Sequence, residues 1–196
     1  MRFRGIVIPT AIAALTLAAC GSDSESSVPS TPEAEAFTDR LVELDDIVEI
    51  WSDADSIETA QVAAEAATNL IVGPGGPGYG DRNGDGTIEA ETARGVLRGS
   101  DGTPDGLADD LSANECIERD VLGGSWDDPS ARWGEMTDAI DAWQPDANTM
   151  PTLASHPMRV VGWATFALDA DSVEDAREYA GHAGIHVRIS ANALTC

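Results

Sequence analysis

Between Tyr79 and Thr92 the chain reads YGDRNGDGTIEAET. Asp81, Asn83 and Asp85 place hard oxygens at alternate positions, the first, third and fifth of a twelve-residue stretch ending at Thr92. Gly86 follows at the sixth, where a sharp turn suits a residue without Cβ. Thr87 offers its backbone carbonyl at the seventh, and Glu89 at the ninth can bind directly or through water. Ile88 between them is the apolar position expected to anchor such a loop to a core. Calcium takes six to eight oxygens from one flexible loop, so these residue types at this spacing point to a Ca²⁺ site at Asp81, Asn83, Asp85, Thr87 and Glu89. The same residues also suit an Asx- and Gly-rich turn that holds no ion.

The stretch resembles the EF-hand loop, and its DRNGDGTI wording is especially similar to the calcium loops of dockerin modules. The resemblance implies a bidentate acid at the twelfth position. That position holds Thr92, and Glu91 falls one residue early, a rotation of ~100° on a helix. Twenty residues on, Asp101, Thr103, Asp105 and Gly106 repeat the first half of the pattern, with Asp109 at the ninth place and Ala108 where an isoleucine stood. This second stretch reads as a plain turn, as a degenerate site, or as a donor of one carboxylate to the first. Weak binding of ~0.1–1 mM is the expectation for a loop without its closing acid.

A second group able to do chemistry is histidine. His182 and His186 lie four apart, on one face of a helix, a spacing that can chelate zinc or copper. His156 sits between Met150 and Met158, and thioethers with imidazole suit copper(I). A transition-metal or haem-binding bundle built on His182 and His186 is therefore the alternative to the calcium reading. No HExxH or CxxC motif accompanies them. GxSxG, the phosphate-binding GxxxxGK[ST] and a strand-borne GxGxxG are also missing, so no reaction class is indicated and a non-enzymatic role is expected. Trp51, Trp126, Trp133, Trp143 and Trp163 can stack on a sugar, but at least three fall on apolar stripes and read as core.

The chain opens Met1-Arg2-Phe3-Arg4 and then runs apolar to Ala19, too short for a spanning helix of ~20 residues and right for an export signal. The run ends Leu17-Ala18-Ala19-Cys20-Gly21, which resembles the bacterial lipobox. That resemblance implies cleavage before Cys20, acylation of Cys20 (palmitate included) and anchoring at the outer face of the cell membrane through lipid alone. The signal peptide is then 1–19. The Ser-, Pro- and Glu-rich residues 20–35 form a flexible tether, and 36–196 form one domain of about 160 residues, enough for a real core. With Cys20 lipidated in an oxidising compartment, Cys116 and Cys196 remain to pair as a disulfide.

The chain has 11 basic residues, all arginine, against 35 acidic ones and a formal charge of -24. Such a surface repels nucleic acid and anionic headgroups and favours divalent cations or basic partners. Partners are thus the membrane through lipid and an unidentified protein or envelope ligand, with no nucleic acid.

The elements that must hold these residues are helical. Phe37, Leu41, Leu44, Val48 and Trp51 recur at spacings of three and four, predicting a helix from about Glu35 to Trp51. Ile57, Ala60, Ala64, Ala67 and Ile71 predict a second, capped by Asp55 and broken by the glycine-proline run after Val72. Thr87 to Leu97 is predicted as a short exit helix, and Leu107 to Val121 as a third substantial helix carrying Cys116. Asp128-Pro129 opens a helix reaching Trp143, Met158 to Leu168 reads as a central helix with a strand as the alternative, and Ser172 opens the last. Pro145 and Pro151 bound an irregular segment. The fold class is all-α, an irregular bundle of about five or six helices interrupted by the loop at 81–92. The junction Asn69-Leu70-Ile71-Val72-Gly73 leading to Tyr79-Gly80-Asp81 looks like one in uncharacterised exported bacterial helical proteins. These tend to carry histidines on the preceding helix, where Ala63, Ala64, Ala66 and Ala67 stand here.

Overall fold

A computed structural model of the protein describes residues 31–144, 150 and 153–196. The export signal, Cys20, the tether up to residue 30, Pro145 and Pro151 lie outside the described residues. Five α-helices run in chain order: α1 Pro32–Ser52, α2 Ile57–Val72, α3 Pro129–Asp141, α4 His156–Leu168 and α5 Val173–Asn192. No strand forms among the described residues, so the valine-rich stretch after Met158 is helix. None of their helices is long and apolar enough to cross a membrane.

Local chemistry sets the helix starts. Thr31 accepts a hydrogen bond from the Ala34 N–H, Pro32 occupies the first turn, and Glu33 and Glu35 face the positive end of the helix dipole. The first helix therefore begins several residues before the apolar stripe does. Ser56, not Asp55, caps α2 through the Thr59 N–H. Asp128 and Ser172 cap α3 and α5 as the sequence predicts.

Helices α1, α2, α4 and α5 close a ring in which α1 packs on α2 and α5, and α4 on α2 and α5. Helix α3 leans on α4 alone among the α-helices. The ring encloses Phe37, Leu44, Trp51, Leu70, Ile71, Met158 and Trp163, all fully buried. Ala60, Ala64 and Ala67 are also fully buried, and their small side chains let neighbouring helices come close to α2. Cys116 and Cys196 are joined as a disulfide, their Cα atoms 6.3 Å apart. It ties the chain's last residue to the segment between α2 and α3.

Two predicted helices do not form. Residues 87–97 run as turns and extended chain. Val96 and Leu97 donate their N–H groups to the Leu70 and Ile71 carbonyls at the end of α2, while the Gly95 and Val96 carbonyls accept from Leu107 and Ala108. This strip satisfies the open carbonyls of α2, which an exit helix would leave unpaired. Gly95 is required there, since a Cβ on it would lie 2.6 Å from the Gly73 nitrogen. The stretch predicted as a third helix is instead a 3-10 turn at Leu107–Leu111 and a π turn at Ile117–Leu122. Asn114 breaks it, its side-chain oxygen accepting the Cys116 and Ile117 N–H groups and starting a new turn.

Candidate metal centre

The loop at 79–92 is curled by its own side chains. Asp81 accepts the Gly84 N–H at 2.7 Å through one oxygen and the Gly86 N–H at 2.9 Å through the other. Asn83 Oδ1 accepts the Asp85 N–H at 2.9 Å, and Asp85 Oδ1 accepts the Thr87 N–H at 2.8 Å. Asn83 Nδ2 also reaches Asp85 Oδ2 at 3.3 Å. Gly86 adopts a φ of 93°, a left-handed conformation that a side chain would strain. These are nested Asx turns, and they bring Asp81, Asn83 and Asp85 onto one short bend.

The bend is mounted on α2 by two buried polar side chains. Glu65 is wholly buried. Its Oε2 accepts the Arg82 N–H at 2.8 Å and the Asn83 N–H at 3.0 Å, and its Oε1 accepts the Glu89 N–H at 2.9 Å. Asn69, one turn further along, accepts the Gly80 N–H at 2.9 Å and donates to the Glu89 carbonyl at 2.8 Å. Both ends of the loop are thus clamped to one face of one helix. A carboxylate buried this deeply is tolerated because it accepts several N–H groups.

Two arginines complete the mounting. Arg40 on α1 donates to the Leu70 carbonyl at 3.1 Å, the Arg94 carbonyl at 2.8 Å and Thr92 Oγ1 at 2.8 Å. Arg82 reaches Thr165 Oγ1 on α4 at 3.3 Å. Burial lowers the proton affinity of both guanidiniums, partly offset by Glu43 at Arg40 and by Asp169 and Glu65 at Arg82.

Several predicted roles change. Ile88 is 43% exposed and anchors nothing; Glu65 and Asn69 do that work instead, through the backbone. Thr92 is engaged with Arg40 and with the Arg94 carbonyl, so its hydroxyl is held away from a closing role. In the second Asp loop, Asp101 accepts from its own Thr103 at 2.9 Å and 2.7 Å. Asp109 forms a forked pair with Arg98, closest approach 2.7 Å, and accepts the Gly106 N–H. That stretch is a turn held by its own pairs and by Arg98. Among the described residues no three His, Cys, Asp or Glu side chains gather to hold a metal ion. A loop site of the kind expected here also uses an amide and a backbone carbonyl.

Sequence reading missed Glu65. Its signal was present: it is the lone charge in Ala63-Ala64-Glu65-Ala66-Ala67, an otherwise all-alanine run. The histidines also pair differently. His156 Nδ1 and His186 Nδ1 stand 2.8 Å apart, whereas the His182 ring lies flat on Trp163 with centroids 4.4 Å apart. Trp163 and Trp51 are fully buried core, and Trp126 and Trp133 meet edge to face at 5.3 Å.

Comparison with protein-family models, with curated proteins and with solved structures finds no match to this chain.

Proposed function

We propose that the chain is an extracytoplasmic helical domain, anchored to the cell membrane by lipid on Cys20, whose loop at 81–92 takes a structural Ca²⁺, and that it serves as a binding or scaffold protein of the envelope. One observation carries the calcium reading. Asp81, Asn83 and Asp85 are bent onto the backbone of their own loop while buried Glu65 fixes that backbone from behind. Each carboxylate has about four acceptor sites, so lone pairs remain after these bonds. A dication among them would offset the repulsion between Asp81 and Asp85 and draw on the Thr87 carbonyl and Glu89. With Thr92 engaged elsewhere, affinity falls in the ~0.1–1 mM range that suits a site outside cells.

The role of the ion is mechanical. The loop joins the end of α2, through Asn69 and Glu65, to α1 through Arg40 and to α4 through Arg82. Stiffening it holds three helices at fixed angles and presents a rigid acidic surface to a partner.

The test is a thermal melt of the purified chain against CaCl₂, with MgCl₂ as the control. At ten times its Kd the ion adds about 1.4 kcal/mol, or roughly 3–6 °C for a domain of this size. The double variant Asp81→Ala, Asp85→Ala should lose the shift. An unchanged melting temperature at several millimolar Ca²⁺ removes calcium from the account. Lipid anchoring has its own check: labelled palmitate should enter the native chain and not Cys20→Ser.

A further inference from the structure

His156, in the first turn of α4, faces His186 on α5 across the helix interface. The Nδ1 atoms are 2.8 Å apart, the ring centroids 5.0 Å apart, and the planes are tilted by 40°. Both rings are half-buried. Among the described residues neither ring makes another hydrogen bond. His182, which shares a helix face with His186, is stacked on Trp163 instead. The fold therefore assembles a pair between helices and leaves the pair along one helix unused.

We propose that His156 and His186 form a site for a divalent transition-metal ion, Cu²⁺ foremost, each ligating through Nδ1. In the metal-free chain one Nδ1–H donates to the other Nδ1 at this 2.8 Å separation; on metal binding the donor ring takes the other tautomer, its proton carried on Nε2, and both rings turn their Nδ1 lone pairs toward the ion. Two adjacent nitrogens of a square plane with ~2.0 Å bonds stand about 2.8 Å apart, and two of a tetrahedron about 3.3 Å. A tetragonal set of nitrogen and oxygen ligands is the preference of Cu²⁺, which also heads the affinity order of the divalent first-row ions. Half-burial leaves a side open to water for the remaining positions.

The surroundings fit. The chain neighbours of both rings, Pro157, Met158 and Val187, are buried. Asp120 lies near enough to act electrostatically on His156. Arg159 opposes a cation, but its Nε is held by the Leu153 carbonyl at 2.7 Å. The cysteines of the described residues are joined to each other and offer no thiolate. The site is separate from the calcium loop, and each stands or falls without the other.

The experiment adds CuSO₄ to the purified folded chain in millimolar Ca²⁺, which occupies hard-oxygen sites. Binding is followed by copper electron paramagnetic resonance and by quenching of tryptophan fluorescence. A single ion per chain with two-nitrogen hyperfine structure is expected. Affinity should fall roughly tenfold or more in His156→Gln and in His186→Gln and stay unchanged in His182→Gln. If His186→Gln fails the circular dichroism check for folding, His156→Gln decides alone. Absence of nitrogen-ligated copper at equimolar metal overturns the proposal. So does binding that survives His156→Gln, or binding lost in His182→Gln, which would place the ion on the pair along α5.

Discussion

Replacing Glu65 by glutamine keeps shape and volume and removes the charge. In the native chain two carboxylate oxygens, wholly buried, accept three backbone N–H groups at 2.8, 3.0 and 2.9 Å. A glutamine has one acceptor oxygen. Its best orientation turns that oxygen to Arg82 and Asn83 and its NH₂ to the Glu89 N–H, donor against donor. A hydrogen bond to a charged group is worth ~1.5–3 kcal/mol and a stranded buried donor costs ~1–3 kcal/mol. The relief of no longer burying a charge offsets part of this, leaving a loss of about 2–3 kcal/mol for Glu65→Gln. Glu65→Ala strands all three donors and should lose about 3–5 kcal/mol. Urea unfolding with the disulfide intact measures both. Native-state hydrogen exchange should show faster exchange at the amides of Arg82, Asn83 and Glu89, with the α1–α5 interface unchanged. A Glu65→Gln variant within about 0.5 kcal/mol of the native chain, with those amides still protected, would refute the assignment of Glu65 as the mount of the loop.

Gly95→Ala should destabilise by roughly 2–4 kcal/mol, because the new methyl meets the Gly73 nitrogen and the Val72 carbonyl carbon at 2.6 Å and neither can retreat without opening the end of α2; the urea midpoint reports it. In metal-free protein, stability should fall as pH drops below ~6.5, the ordinary imidazole value. Burial above all holds folded His186 at about 3, with His156, Arg159 and His182 adding to the effect, while Asp120 opposes it only at His156. The unfolded chain thus binds more protons across that window, so the contribution is whole above ~6.5 and is lost on the way to about 3. The linkage is about 4–5 kcal/mol without screening and about 2 kcal/mol for a half-buried ring. Urea midpoints at pH 7 and at pH 4.5 should therefore differ more in the native chain than in His186→Gln; equal differences contradict the burial of an uncharged His186.

The apolar stripes announced the helices because burying a 3.6-residue periodicity needs only the chain's own pattern. Phe37 through Trp51, and Ala60 through Ile71, face the core as that pattern requires. The loop was equally legible, since Asx turns and glycine kinks are made by neighbours in sequence. Where sequence reasoning failed, the deciding partner was remote. The exit helix after Thr87 gave way because the end of α2 needed donors, and Val96 and Leu97 supplied them. Ile88 suited a core anchor by residue type, yet it stayed in solvent because Glu65 and Asn69 already held the backbone.

The sequence by itself determined the all-α class, the caps at Asp128 and Ser172, the Asp81–Glu89 bend and the acidic surface, the caps and the bend being matters of residues within a few positions of one another. The tertiary structure decided which oxygens and nitrogens meet. It put Glu65 behind the loop 17 residues downstream at Arg82 and joined His156 to a histidine 30 residues away rather than leaving His186 with His182; the Cys116–Cys196 bond, by contrast, was already expected from the cysteine count. The physical reason is range: hydrogen-bond and ligand geometry are fixed to tenths of an ångström by how packed helices are set against each other, and that placement is carried by the whole core rather than by any short stretch of chain.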